Sequence, residues 1–88
     1  MTAHELRDLR HGILITLYRT NCFGRTAEQL HRILQMEVAC TAADVNAQLM
    51  FLGDKVQSHS ADELAPGLSP LWKITPAGMT FCEKEKLV

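Results

Sequence analysis

Residues 26–56 read TAEQLHRILQMEVACTAADVNAQLMFLGDKV, two short amphipathic segments, each opened by a threonine and joined by a tight connection. Thr26 is followed three residues later by Gln29, the spacing at which each side chain satisfies a backbone donor at a helix start. Leu30, Ile33 and Leu34 then fall on one face at helical spacing. Thr41 with Asp44 repeats the start signal in weaker form, and Val45, Leu49 and Leu52 make a stripe with a period near 3.6. Neither helix can bury its face alone, so the pair is expected to pack through the turn at Met36 to Cys40, with Val45, Leu49 and Leu52 turned inward.

Working outward, the 88 residues make one domain, large enough for a core that removes roughly 60 to 65% of the unfolded chain's surface from water. A hydrophobic content of 47% with 22% charged residues belongs to a globular chain rather than a disordered tail. The formal net charge of −1 excludes bulk attraction to nucleic acid, so any phosphate contact must come from a local patch. His4, Glu5, Arg7, Asp8 and Arg10 stand where a signal peptide needs an apolar run, and no stretch is long and apolar enough for a membrane helix. No membrane association and a cytoplasmic location are therefore expected. Cys22, Cys40 and Cys82 are odd in number without a CxxC pair, which argues against a disulfide framework. His4, His11, His31 and His59 do not stand at metal-ligand spacing with them, so neither a metal nor another cofactor is expected.

On the N-terminal side, Thr2 and Glu5 form another capping pair. Leu6, Leu9, Ile13 and Leu17 then predict a first helix from about Ala3 to Thr20. Leu14 and Tyr18 widen its apolar face on one flank. That width suits either a broad core face or a homodimer contact through the first and last helices. A brief β-bridge is expected in the connection Asn21 to Arg25. Beyond the helix pair, Lys55 to His59 alternates as an exposed strand does, and Ser60 to Pro70 has loop chemistry with Pro66, Gly67 and Pro70. Leu71 to Ile74 supplies a second strand for an antiparallel hairpin. Thr75 caps a last helix, with Pro76 at its first position. Met79, Phe81 and Cys82 are its apolar side, and Lys84 and Lys86 lie at the end where the helix dipole favours cations.

The order helix, helix, helix, strand, loop, strand, helix, with Leu49, Leu52 and Val56 leading into the hairpin and Leu71 to Met79 (LWKITPAGM) leaving it, resembles the winged helix-turn-helix superfamily of bacterial and phage regulators. FGRT at Phe23 to Thr26, LMFL at Leu49 to Leu52 and the late ITPAG are similar to small winged-helix proteins carried by Mu-like phages. The resemblance implies a mainly α fold with a small β-hairpin: a three-helix core with its helix-turn-helix at 26–54, a two-stranded wing at 55–74, and a C-terminal helix at 76–86. The chain departs from the regulator pattern in having Lys55, not glycine, directly before the first wing strand.

The resemblance also implies a DNA-binding protein that regulates transcription, with its third helix in the major groove of double-stranded DNA and its wing on the backbone. The residues set the terms of that contact. The side of the third helix opposite Val45, Leu49 and Leu52 carries Ala43, Ala47 and Met50, flanked by Asp44, Asn46 and Phe51, without Arg or Lys. A cationic fork to guanine is thus missing. Asn46 remains for an adenine edge, Thr41 or Gln48 for phosphate or base, and Ala47 for a thymine methyl. Arg25, Arg32, Lys55, His59 and Lys73 are the candidate basic rim, giving about three or four phosphate contacts and a salt slope of about −3 for a monomer or −6 for a dimer.

The same residues admit a second reading, a protein-interaction module without DNA binding. Its contact face is Ala43, Ala47, Met50 and Phe51, since neighbouring exposed apolar groups suit a protein partner at the third helix. The ordinary alternatives are solvated arginines at Arg25 and Arg32, an unremarkable polar surface at Asn46, and Trp72 as a core plug under the hairpin. Catalysis is not expected: no serine or cysteine stands in a nucleophile motif, no glycine-rich phosphate loop is present, and Asp62 and Glu63 fall in a loop.

Overall fold

The computed structural model describes residues 2–20, 24–59 and 70–88. The loop expected from Ser60 to Pro70 lies outside them except for Pro70, as do Asn21, Cys22 and Phe23. The element order is α1 (Ala3–Arg19), α2 (Ala27–Leu34), α3 (Ala42–Phe51), a 3-10 turn (Gly53–Lys55), β1 (Val56–His59), β2 (Leu71–Ile74) and α4 (Pro76–Lys84). Among the described residues the chain is therefore mainly helical, with one two-stranded antiparallel sheet. No described helix is long and apolar enough to cross a membrane.

Each α-helix begins at a threonine whose side chain accepts a hydrogen bond from the third helical residue: Thr2 from Glu5, Thr26 from Gln29, Thr41 from Asp44 and Thr75 from Gly78. In the first three the third-residue side chain also reaches back to the threonine N–H, so the Thr41–Asp44 pair is as complete as the others. Each such cap stabilises its helix by about 1 kcal/mol.

The core is built from Leu9, Ile13, Leu14 and Leu17 of α1, Leu30 and Leu34 of α2, Val45, Leu49 and Leu52 from the α3 segment, Val56, Ile74 and Cys82. The expected inward stripe of α3 is thus inward. Two expectations need correction. Ile33 is 43% exposed: Leu30 and Leu34, one turn apart, take the centre of the buried arc, and Ile33 stands about 100° back from Leu34 on its edge. Leu6 is half-buried, whereas Leu14 has no exposed surface. The centre of the α1 face is thus rotated toward Leu14. Leu14 and Tyr18, the residues that widen the apolar face of α1, both pack in or against the core.

Three contacts hold the helix pair and the hairpin in place. His31 Nε2 lies 2.9 Å from the carbonyl oxygen of Cys40, so its N–H donates across the turn and ties α2 to the start of α3 without a glycine. The expected bridge pairs Arg25 with Trp72: Arg25 N–H donates to Trp72 at 2.9 Å and Trp72 N–H to Arg25 at 2.7 Å. Finally, Thr75 N–H donates to the carbonyl of Lys55 at 3.1 Å, and the Thr75 hydroxyl donates to the carbonyl of Asp54. Glycine serves this junction twice. Gly53 leaves α3 at φ +58°, and Gly78 lets α4 lie directly on the Lys55 carbonyl and Ile74.

Candidate functional site

With Val45 and Leu49 sealed inside, α3 presents Ala43, Asn46, Ala47 and Met50 as an exposed face, with Gln48 half-buried at its flank. Thr41 heads this face. Its hydroxyl accepts from Asp44 N–H at 3.2 Å, and the Asp44 carboxylate accepts from Thr41 N–H at 2.9 Å. The Thr41 N–H, and secondarily its hydroxyl, hold the Asp44 carboxyl below the ordinary carboxylate range. The negative charge is thereby fixed at the α3 N-terminus, where it complements the helix dipole. Toward the other end the face turns apolar, with Met50 at 73% and Phe51 at 68% exposure.

The register of the hairpin sorts the candidate cations. Val56 and Ile74 are paired and both buried, so the pleat puts Ser58 and Trp72 on the core side and Gln57 and Lys73 on the outer side. Arg25, opposite Trp72, belongs to the core side; it is half-buried, and its Nε is buried with no hydrogen-bond partner among the described residues. His59 pairs with Leu71 in the register; its side chain is outside the described residues. Lys55 is drawn elsewhere: its Nζ stands 5.1 Å from the centroid of the Phe81 ring, facing α4.

The structure therefore gathers Thr41, Asn46 and, at the flank, Gln48 on α3, together with the alternative contact residues Ala43, Ala47 and Met50. Lys73 is on the outer face of the hairpin and Arg25 on its inner face. Phe51, the fourth residue of the alternative contact face, meets α1, with the Arg10 guanidinium carbon 4.5 Å from its ring centroid. Sequence reasoning missed the groove that this contact belongs to, in which Arg7, Arg10 and His11 of α1 meet Phe51, Lys55 and Phe81. A partial signal was present: residues 7, 10 and 11 share one helical face.

The two cysteines among the described residues are both free thiols. Burial raises each of their pKa values, with Asp44 adding to the effect at Cys40 and Glu83 at Cys82. Neither has the lowered pKa of a nucleophile. Comparison of the chain with protein families, with curated proteins and with solved structures finds no match in any of the three.

Proposed function

We propose that the chain is a winged helix-turn-helix domain that binds double-stranded DNA, a small transcriptional regulator of bacterial or phage type. The observation that carries this reading is the α2–α3 pair. The two helices are fixed to one another through His31 and Cys40, leave one side of α3 open, and are followed at once by a two-stranded hairpin. In this assignment α3 enters the major groove, Asn46 reads an adenine edge, Ala47 meets a thymine methyl, and Thr41 and Gln48 bind phosphate or base. Lys73, His59 and Arg25 are assigned to the DNA backbone. With Lys55 held over Phe81, about two or three phosphate contacts remain per domain, giving a salt slope of about −2 to −3 and occupancy that depends on two domains sharing a duplex.

The test is a salt titration of binding to mixed-sequence duplex DNA by fluorescence anisotropy. Micromolar protein is expected to bind at about 50 mM salt, with Lys73→Ala lowering the slope by about 1. Absence of binding under those conditions overturns the proposal. A specific observation favours the protein-interaction reading as the second: Met50 and Phe51 are exposed on a helix without Arg or Lys. Met50→Lys separates the two, strengthening DNA binding if α3 faces phosphate and abolishing association if it faces a protein.

A further inference from the structure

The groove between α1, the end of α3 and α4 encloses about 240 Å³. Its lining has two chemical parts. Leu14 and Leu52 make an apolar floor, half-buried Phe81 and largely exposed Phe51 stand as apolar walls, and Arg7, Arg10, His11 and Lys55 supply nitrogen groups around them. Among the described residues no carboxylate lines the groove. In a chain of net charge −1, three of the nine Lys and Arg residues converge here. Among the described residues none of the three takes part in an ion pair, the single one recorded being His4 with Asp8.

Arg10 and Lys55 are half-buried at the groove, and Arg7 is exposed at its rim. Arg10 is pinned by Nε–H donation to the Leu6 carbonyl at 3.2 Å and by its position over the Phe51 ring. Arg7 Nη2 donates to His4 Nδ1 at 2.9 Å, and the other nitrogen of that imidazole lies 3.4 Å from the Asp8 carboxylate. Lys55 rests over Phe81. Arg7 and Arg10, one turn apart on the same helix, repel each other, and a bound anion relieves that repulsion. A guanidinium offers five donors, and these contacts use one on each arginine.

We propose that this groove binds a small aryl oxyanion: a single planar apolar ring, seated between Phe51 and Phe81, bearing one carboxylate or phosphate held by Arg7, Arg10 and Lys55. The volume falls below the roughly 300 to 1,000 Å³ of sites for drug-sized ligands, which limits the body to about one ring. The forked guanidinium donors match the two oxygens of a carboxylate or phosphate. The site is independent of the DNA-binding reading, since none of its residues stands on the exposed N-terminal half of α3.

The experiment is an amide chemical-shift titration of the whole chain with benzoate and phenyl phosphate. Benzamide serves as the uncharged control and inorganic phosphate as the ringless one. Saturable shifts confined to residues 7–14, 51–55 and 78–82 are expected, at a Kd of about 1 mM or lower. Comparing the two aryl ligands tells a carboxylate site from a phosphate site. Arg10→Gln, whose helical content is checked by circular dichroism, is expected to weaken binding about tenfold, and Arg7→Gln to do the same independently. The proposal is overturned if neither aryl anion saturates by about 10 mM, an order above that Kd. Benzamide or inorganic phosphate binding as tightly as benzoate, or both arginine variants binding like the parent, overturns it equally.

Discussion

Replacing Gly78 with alanine sets two opposed effects of known size against each other. In the first turn of α4 the change gains at most about 1 kcal/mol of propensity. Against it, a Cβ at this position would overlap the backbone carbonyl of Lys55 and stand 2.6 Å from Ile74 Cγ1. Carbon atoms rest at about 3.5 to 4.0 Å, so α4 has to back away by about 1 Å. The obstacle is main chain, which cannot swing aside as a side-chain end can. Overpacking of this kind costs about 1 to 3 kcal/mol, and retreat of α4 also strains the Thr75 bonds to Lys55 and Asp54, at about 1 kcal/mol each. The net is a destabilisation of about 2 to 4 kcal/mol. For a domain of this length that lowers the melting temperature by about 10 to 30 °C. Thermal unfolding followed by circular dichroism measures it. A Gly78→Ala protein that melts at or above the parent temperature would refute the direct seating of α4 on the 3-10 turn.

Gly53→Ala isolates backbone strain: nothing lies within 4 Å of the added Cβ, but φ is +58°, so a loss of about 1 kcal/mol is expected by urea titration, with Gly53→Asn losing less. The Glu5 and Asp44 carboxyls are held below their ordinary values of 4.5 and 3.8, in each case first by the backbone N–H of the capping threonine. A depressed carboxyl contributes stability that is complete above its ordinary value and is lost as pH falls through the lower folded one. Melting temperatures are therefore expected to fall below about pH 4.5, and the double variant Glu5→Gln, Asp44→Asn should flatten that limb, because uncharged Gln29 already closes the same box in α2.

Much of the backbone was legible because its signals are local. The threonine pairs at Thr2, Thr26 and Thr41 mark helix starts within four residues, and Leu71 to Ile74 is the strand observed. Val45, Leu49 and Leu52 carry their burial in their own spacing. What escaped depends on partners distant in sequence. Leu6 and Leu14 exchange the importance expected of them, and Ile33 stands further out than expected, because the surrounding elements, not α1 or α2 alone, decide where a helical face is centred. Lys73 and Arg25 look equivalent as isolated cations, but hairpin register and the Trp72 bridge set them on opposite sides. Lys55 follows Gly53 by two residues, and the local chain gives no sign that Phe81 will draw it toward α4. The α1 groove likewise needs residues 7–11, 51–55 and 81 to meet.

The pairing of Arg25 with Trp72 joins positions 47 apart in the chain (72 − 25). Closing a segment of that length costs roughly 3 kcal/mol of chain entropy before any constant is added. Its two hydrogen bonds return about 1 kcal/mol each, which is too little to draw the ends together unaided. The bridge is therefore expected to form once helical collapse has placed its two halves side by side. Because Trp72 is the chain's single tryptophan, its intrinsic fluorescence after stopped-flow refolding tests that order, a change as fast as the helical circular dichroism signal counting against it.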